Sequence, residues 1–193
     1  MSFINTQAKE INCKVAYYGA PFAGKSTSLR HIYSQTSEGY RGKLVTLSEK
    51  ENRALFFDFL PLSLGKVDGY KIRFHFYTIP GQIFYDNARK LILNGIDGII
   101  FVADTQMERT EENLQSWRNL QEHLRAEGID PRSIPLVLQL NKRDLPNALP
   151  VEELKNLLNV PELPFFETVA TKGKNVMECF QSVAKQVLID LKK

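Results

Sequence analysis

Gly19-Ala20-Pro21-Phe22-Ala23-Gly24-Lys25-Ser26 spells G-x-x-x-x-G-K-S, and this stretch decides the fold. A loop that wraps a row of phosphates turns its backbone N–H groups inward, and it needs glycine where the chain bends or comes close. A lysine then reaches the terminal phosphates as a point charge, while a serine or threonine hydroxyl ligates Mg²⁺. Residues Gly19 through Ser26, with Thr27 beside them, are therefore the expected phosphate contacts, and Ser26 is the expected metal ligand. The helix that follows aims the positive end of its dipole at the same anion. The flanks fit this arrangement. Cys13 to Tyr18 upstream reads as a buried strand, and Leu29, Ile32 and Tyr33 recur at helical spacing downstream.

Working outward, the chain alternates strand and helix patterns. Lys43 to Leu47 reads as a strand, Ser48 to Arg53 as an exposed charged loop, and Ala54 to Leu60 as a strand or buried extended segment. A turn is expected within Leu62 to Asp68. Tyr70 to Tyr77 alternates with period two, as an antiparallel edge strand does. Gly98 to Ala103 and Pro135 to Leu140 are continuous apolar runs, expected of strands buried on both faces of a parallel sheet.

Thr110 to Ala126 carries a helical stripe of Leu114, Trp117, Leu120, Gln121 and Leu124. Val151 to Leu158 is a short helix after a proline, and Phe165 to Val169 a last strand. Val176, Phe180, Val183, Ala184, Val187, Leu188 and Leu191 form the inner face of a closing helix. The expected architecture is a doubly wound α/β domain over residues 1–193. Its sheet is mostly parallel, of roughly six to seven strands with one antiparallel hairpin, and helices cover both faces.

A phosphate loop alone does not name a base. Asn141-Lys142-Arg143-Asp144 narrows it, because it follows directly on the Leu136 to Leu140 strand. An aspartate carboxylate accepts two hydrogen bonds, one from the guanine ring N–H and one from its exocyclic amine, a donor pair that adenine lacks. Asn141 is suited to holding neighbouring loops together, and the Lys142 stem to lying along a ring face.

Composition excludes several classes. The 193 residues are 43% apolar and 24% charged, an ordinary soluble balance. A net charge of +3, from 25 basic against 22 acidic residues without a basic block, gives no nucleic-acid footprint. Cys13 and Cys179 sit among apolar neighbours and read as reduced core thiols of a cytosolic protein. His31, His75 and His123 have no metal-ligand spacing. Neither a signal peptide, a membrane span nor a lipidation motif is read, so membrane recruitment is expected through a partner.

The order of phosphate loop, Pro80-Gly81-Gln82 and Asn-Lys-x-Asp resembles the Ras-like small GTPases over nearly the whole chain. Within that superfamily the sequence is similar to the bacterial MglA gliding-motility and polarity GTPases. The residues carrying this are Leu55 through Leu62, Arg73-Phe74-His75, Arg89 through Leu93, and Asn141 through Ala148. The resemblance implies a Ras-like fold, binding of GTP or GDP with Mg²⁺, and a cytoplasmic switch recruited to a cell pole by partners. It implies a roadblock-domain, MglB-like GTPase-activating protein and polarity or motility effectors. Thr168, Val169, Ala170 and Thr171 take the place of the last base-binding loop, with the Ala170 N–H toward the guanine oxygen. Gln82 corresponds to the residue that orients the attacking water, and Gly81 to the one whose N–H meets the terminal phosphate. Arg53 corresponds to a finger arginine in cis.

Three positions depart from the pattern. Ala54 replaces a threonine that ligates Mg²⁺, Thr78 an aspartate that holds a metal-bound water, and Pro21 a phosphate-loop glycine. These bear on hydrolysis more than on binding. Two functions from different classes stay open, a hydrolysing switch and a GTP-bound interaction module that hydrolyses little. A phosphate-loop kinase is a weaker third, opposed by Asp144.

Overall fold

The computed structural model describes residues 3–47, 57–80 and 86–192. Its centre is set by the apolar runs. The strands Gly98–Asp104 (β6) and Leu136–Asn141 (β7) are buried at every position, which requires cover on both faces. Beside β6 lies Glu10–Gly19 (β2), whose last five residues are all buried. Successive side chains of β2 enter opposite cores, as a period of two dictates. Cys13, Val15 and Tyr17 pack with Leu29, Ile32, Cys179, Phe180 and Val183, whereas Ala16 and Tyr18 pack with Ile92, Trp117, Leu120 and Leu154. One face is thus covered by Lys25–Gln35 (α1) and Val176–Asp190 (α5). The other is covered by Asp86–Leu93 (α2), Thr110–Ala126 (α3) and Val151–Leu158 (α4).

The remaining strands are Phe3–Asn5 (β1), Val45–Leu47 (β3), Phe57–Val67 (β4), Tyr70–Thr78 (β5) and Phe165–Thr168 (β8). They form an eight-stranded sheet in the order β3-β4-β5-β2-β6-β7-β8, with β1 antiparallel on β2. Pairing from β5 through β8 is parallel, and β4–β5 is the antiparallel hairpin. The strand count exceeds the expected number because β1, three residues with no apolar alternation, joins the sheet by backbone pairing. The helix α2 likewise carries no expectation from sequence.

Two local expectations are corrected. Tyr70 to Tyr77 is not an edge strand: β5 lies between β4 and β2. Its alternation arises because Phe74 and Phe76 turn into the core, where Phe76 meets Phe180 with ring centroids 4.9 Å apart, while Lys71 and Arg73 face water. The turn expected within Leu62 to Asp68 falls at its last residue, and Leu62 to Val67 is strand, with a register shift between Ser63 and Lys66. The reversal is Asp68-Gly69, both at positive φ (51° and 83°), the Asp-Gly pair that a tight hairpin selects. The expected segments at 48–56 lie outside the described residues. No helix among the described residues is long and apolar enough to cross a membrane.

Candidate functional site

The C-terminal ends of the parallel strands collect every described site residue. The strand β2 runs out at Gly19 and the chain loops into α1 at Lys25. Gly19 has φ +145°, and a Cβ there would stand 2.1 Å from the Val102 carbonyl oxygen. Gly24 has φ +107°, and its Cβ would stand 2.2 Å from Asn141 Nδ2. Both positions therefore admit only glycine. The first turn of α1 has no acidic residue and no side-chain cap, whereas α3, α4 and α5 each open with glutamate. An anion approaching α1 meets its backbone N–H groups without a competing carboxylate.

Lys25 is 7% exposed, and its Nζ donates to the carbonyls of Gly19 (2.8 Å) and Ala20 (2.7 Å). The ammonium is thereby folded across the mouth of its own loop. Pro21 is half-buried, and its carbonyl accepts from Arg109 Nη2 at 2.9 Å. Phe22, at φ +61°, is 81% exposed, so the loop turns its aromatic residue outward. Ser26 and Thr27 are half-buried in the first turn of α1.

Asn141, 2% exposed at the end of β7, joins two loops. Its Nδ2 donates to the Ala23 carbonyl (2.7 Å), and its Oδ1 accepts from the Ala170 N–H (2.9 Å) and the Thr168 hydroxyl (3.0 Å). The Ala170 N–H, aimed by resemblance at a guanine oxygen, is in this structure given to Asn141. Lys142 has φ +67°, and its Nζ lies 2.5 Å from Oδ2 of the fully buried Asp104, which fixes the far end of its stem. Asp144 pairs with Lys172 at 3.0 Å. That hydrogen bond holds the Asp144 carboxyl below its ordinary value, with the backbone and the Lys172 charge adding to it against a desolvation that pushes the other way. Between these loops lies a cavity of about 210 Å³ lined by Gly24, Thr27, Asn141, Lys142, Asp144 and Ala170 among others, Phe22, Val169 and Thr171 included. Larger cavities lie elsewhere, one of about 430 Å³ at the opposite end of the strands beside Asp97 and Pro135.

One residue of this edge was not singled out for a role in the sequence. Asp58 of β4 is 3% exposed, and its oxygens accept from the hydroxyls of Thr46 (2.8 Å) and Thr78 (3.1 Å). Its N–H donates back to Thr78 Oγ1 at 2.8 Å. Thr78 in turn is paired with Tyr17, two residues before Gly19. A carboxylate therefore stands next to the position where Thr78 departs from the Ras-like aspartate. It is invisible in sequence because it arrives from a different strand. Arg53, Ala54, Gly81 and Gln82 lie outside the described residues.

Comparison with known proteins agrees with this geometry. A model of the Ras family matches residues 46–189. The mutual gliding-motility protein MglA of Myxococcus xanthus (strain DK1622) is 53% identical over 193 residues, 100% of this chain and 99% of that protein. This chain belongs to the Ras family. The Ras-related protein Rab-7a of Dictyostelium discoideum is also similar, 27% identical over 93% of this chain and 84% of that protein. The Ras-related protein RABG3f of Arabidopsis thaliana is 34% identical over 56% and 54% of the two chains. The family match begins after the phosphate loop, so that loop stands on its own motif and geometry, and on the full-length similarity to MglA.

Proposed function

We propose that this chain is a guanine-nucleotide switch that hydrolyses GTP to GDP and engages effectors in its GTP state. The observation that carries this is the Asn141 side chain, which fastens the Ala23 carbonyl of the phosphate loop to the Ala170 N–H of the base loop. A cradle so joined receives phosphate and base together. Asp144 selects guanine, Lys142 covers the ring face, and Lys25 leaves its two carbonyls for the phosphates.

Mg²⁺ prefers hard oxygen ligands and keeps several waters. Ser26 offers a hydroxyl, and Asp58 a carboxylate whose described partners are hydroxyl and not cationic. A buried carboxylate with no cation among its described partners is costly, which supports a metal on this edge, with Asp58 taking the part that Thr78 cannot. When bound, Mg²⁺ neutralises charge on the phosphates. Gln82 orients the attacking water, Gly81 meets the terminal phosphate and Arg53 stabilises the charge developing in transfer; these roles rest on the resemblance.

The 53% identical relative is a gliding-motility protein, which supports a role in bacterial motility; a role in polarity rests on the resemblance. A roadblock-domain, MglB-like activating protein and polarity or motility effectors are the proposed partners, with pole recruitment through them. Single-turnover hydrolysis, with and without that activator, tests the switch. GTP should be consumed within minutes to hours and faster with the activator, and GTP unchanged in both conditions contradicts it.

The second reading is a GTP-bound module with little hydrolysis, favoured by Pro21 and Ala54. It predicts that protein fresh from purification carries mostly GTP, and mostly GDP by chromatography counts against it.

A further inference from the structure

Pro21 poses a problem for a phosphate-binding loop. It supplies no N–H, so nothing on its own backbone nitrogen draws this segment toward an anion. Its carbonyl has a partner instead. Arg109 closes the short 3-10 turn Met107–Arg109 and reaches across 88 residues of sequence to donate Nη2 to that oxygen at 2.9 Å. The guanidinium is itself held in place. Its Nη1 donates to Glu112 Oε1 at 2.7 Å, and its Nε lies 3.8 Å from Asp104 Oδ2.

The same Asp104 oxygen takes the ammonium of Lys142, from the base loop, at 2.5 Å. Asp104 is fully buried, and Asn113 fixes its backbone from both sides, accepting from its N–H (3.0 Å) and donating to its carbonyl (2.6 Å). One buried carboxylate thus anchors two cations. One of them lies along the base cavity, and the other grips the middle of the phosphate loop. The fork of a guanidinium suits this task, because it serves a carbonyl and two carboxylates from a single planar group.

We propose that Arg109 is a positioning residue for nucleotide binding: by holding the Pro21 carbonyl it sets the phosphate loop and couples it, through Asp104 and Lys142, to the base loop. This rests on the guanine-nucleotide reading of the site. A charge-assisted hydrogen bond to a backbone oxygen corresponds to roughly tenfold in an equilibrium or release rate.

The test is release of a fluorescent GDP from the full chain by stopped flow, for wild type, Arg109→Ala and Arg109→Lys, each also in a Pro21→Gly background. Arg109→Ala should release about tenfold faster. Arg109→Lys, which keeps the charge and loses the fork, should release several-fold faster and so recover only part. If the alanine variant does not fold, the lysine variant carries the test.

A glycine at position 21 restores the N–H that proline lacks, which leaves the loop less dependent on Arg109. The Arg109→Ala factor should therefore be smaller in Pro21→Gly than in the wild-type background. A merely structural role would lower the melting temperature and multiply release by the same factor in both backgrounds. Release at the wild-type rate from both Arg109 variants, or an equal factor in the two backgrounds, overturns the proposal. Wild-type protein that retains no labelled GDP overturns the site reading itself, and the proposal with it.

Discussion

At the scale of single residues, the site depends on groups that serve two loops at once. Asn141→Ala leaves the Ala23 carbonyl and the Ala170 N–H without their partner, and each orphaned buried group costs about 1–3 kcal/mol. The expected outcome is GDP release faster by tenfold or more, on the order of those energies, with a lower melting temperature. Asp144 gives a pH signature. Lys172 depresses its carboxyl, so guanine binding should persist as pH falls and be lost only when the pH passes through that lowered value. Lys172→Met should move the acid-side loss to higher pH and make binding less salt-sensitive, because the pair is solvent-exposed. A titration of GDP affinity between pH 3 and 7 checks both, and an unchanged acid limb in the variant contradicts them. Gly19, Gly24, Lys25, Asn141 and Asp144 were legible in the sequence because each is fixed by local spacing. Asp58 and Arg109 were not, since each acts on a partner brought near only by strand pairing and helix packing.

At the scale of elements, the amphipathic stripes of α3, α4 and α5 were legible, whereas α2, which also covers the sheet, was not. The bounds of α3 and α4 coincide with their sequence patterns, Thr110–Ala126 and Val151–Leu158. The short β1 carries no pattern to read; it joins the sheet by pairing with β2, and its Ile4 is exposed. In β5 the period of two was real, but it reported the difference between a core-facing and a solvent-facing side rather than an edge. Close helix–sheet packing yields a further prediction. A Cβ at Gly98, where β6 passes under α5, would stand 2.6 Å from Val187 Cγ2 and 3.2 Å from Val183 Cγ2. Both neighbours are stiff β-branched side chains. Gly98→Ala should therefore destabilise the fold by about 1–3 kcal/mol through overpacking, measured by denaturant unfolding, while GDP affinity changes little.

For the whole molecule, the two cores meet at β2, and the site hangs on the end of that strand, so stability and nucleotide binding are linked. The thiols report on this link. Burial, helped by Asp97, pushes Cys13 up to about 12, and burial with the Glu178 charge raises Cys179 further. Neither should react with a maleimide at neutral pH except through opening of the fold. GDP at about 100 times its dissociation constant should slow labelling about 100-fold where opening releases the nucleotide. Labelling at a free-thiol rate in the folded protein would contradict this.

The order of phosphate loop, Gly81-Gln82 and Asn-Lys-x-Asp made the family legible before any geometry, and the phosphate loop and Asn-Lys-x-Asp each follow the end of a different parallel strand at one edge. The central claim is that this edge reads guanine, and Asp144→Asn tests it most directly. Competition binding with GDP, xanthosine diphosphate and ADP should show wild type preferring GDP and the variant preferring xanthosine diphosphate, whose ring carbonyl suits an amide donor. A variant that keeps its preference for GDP, or a wild type that takes ADP as readily, would contradict it.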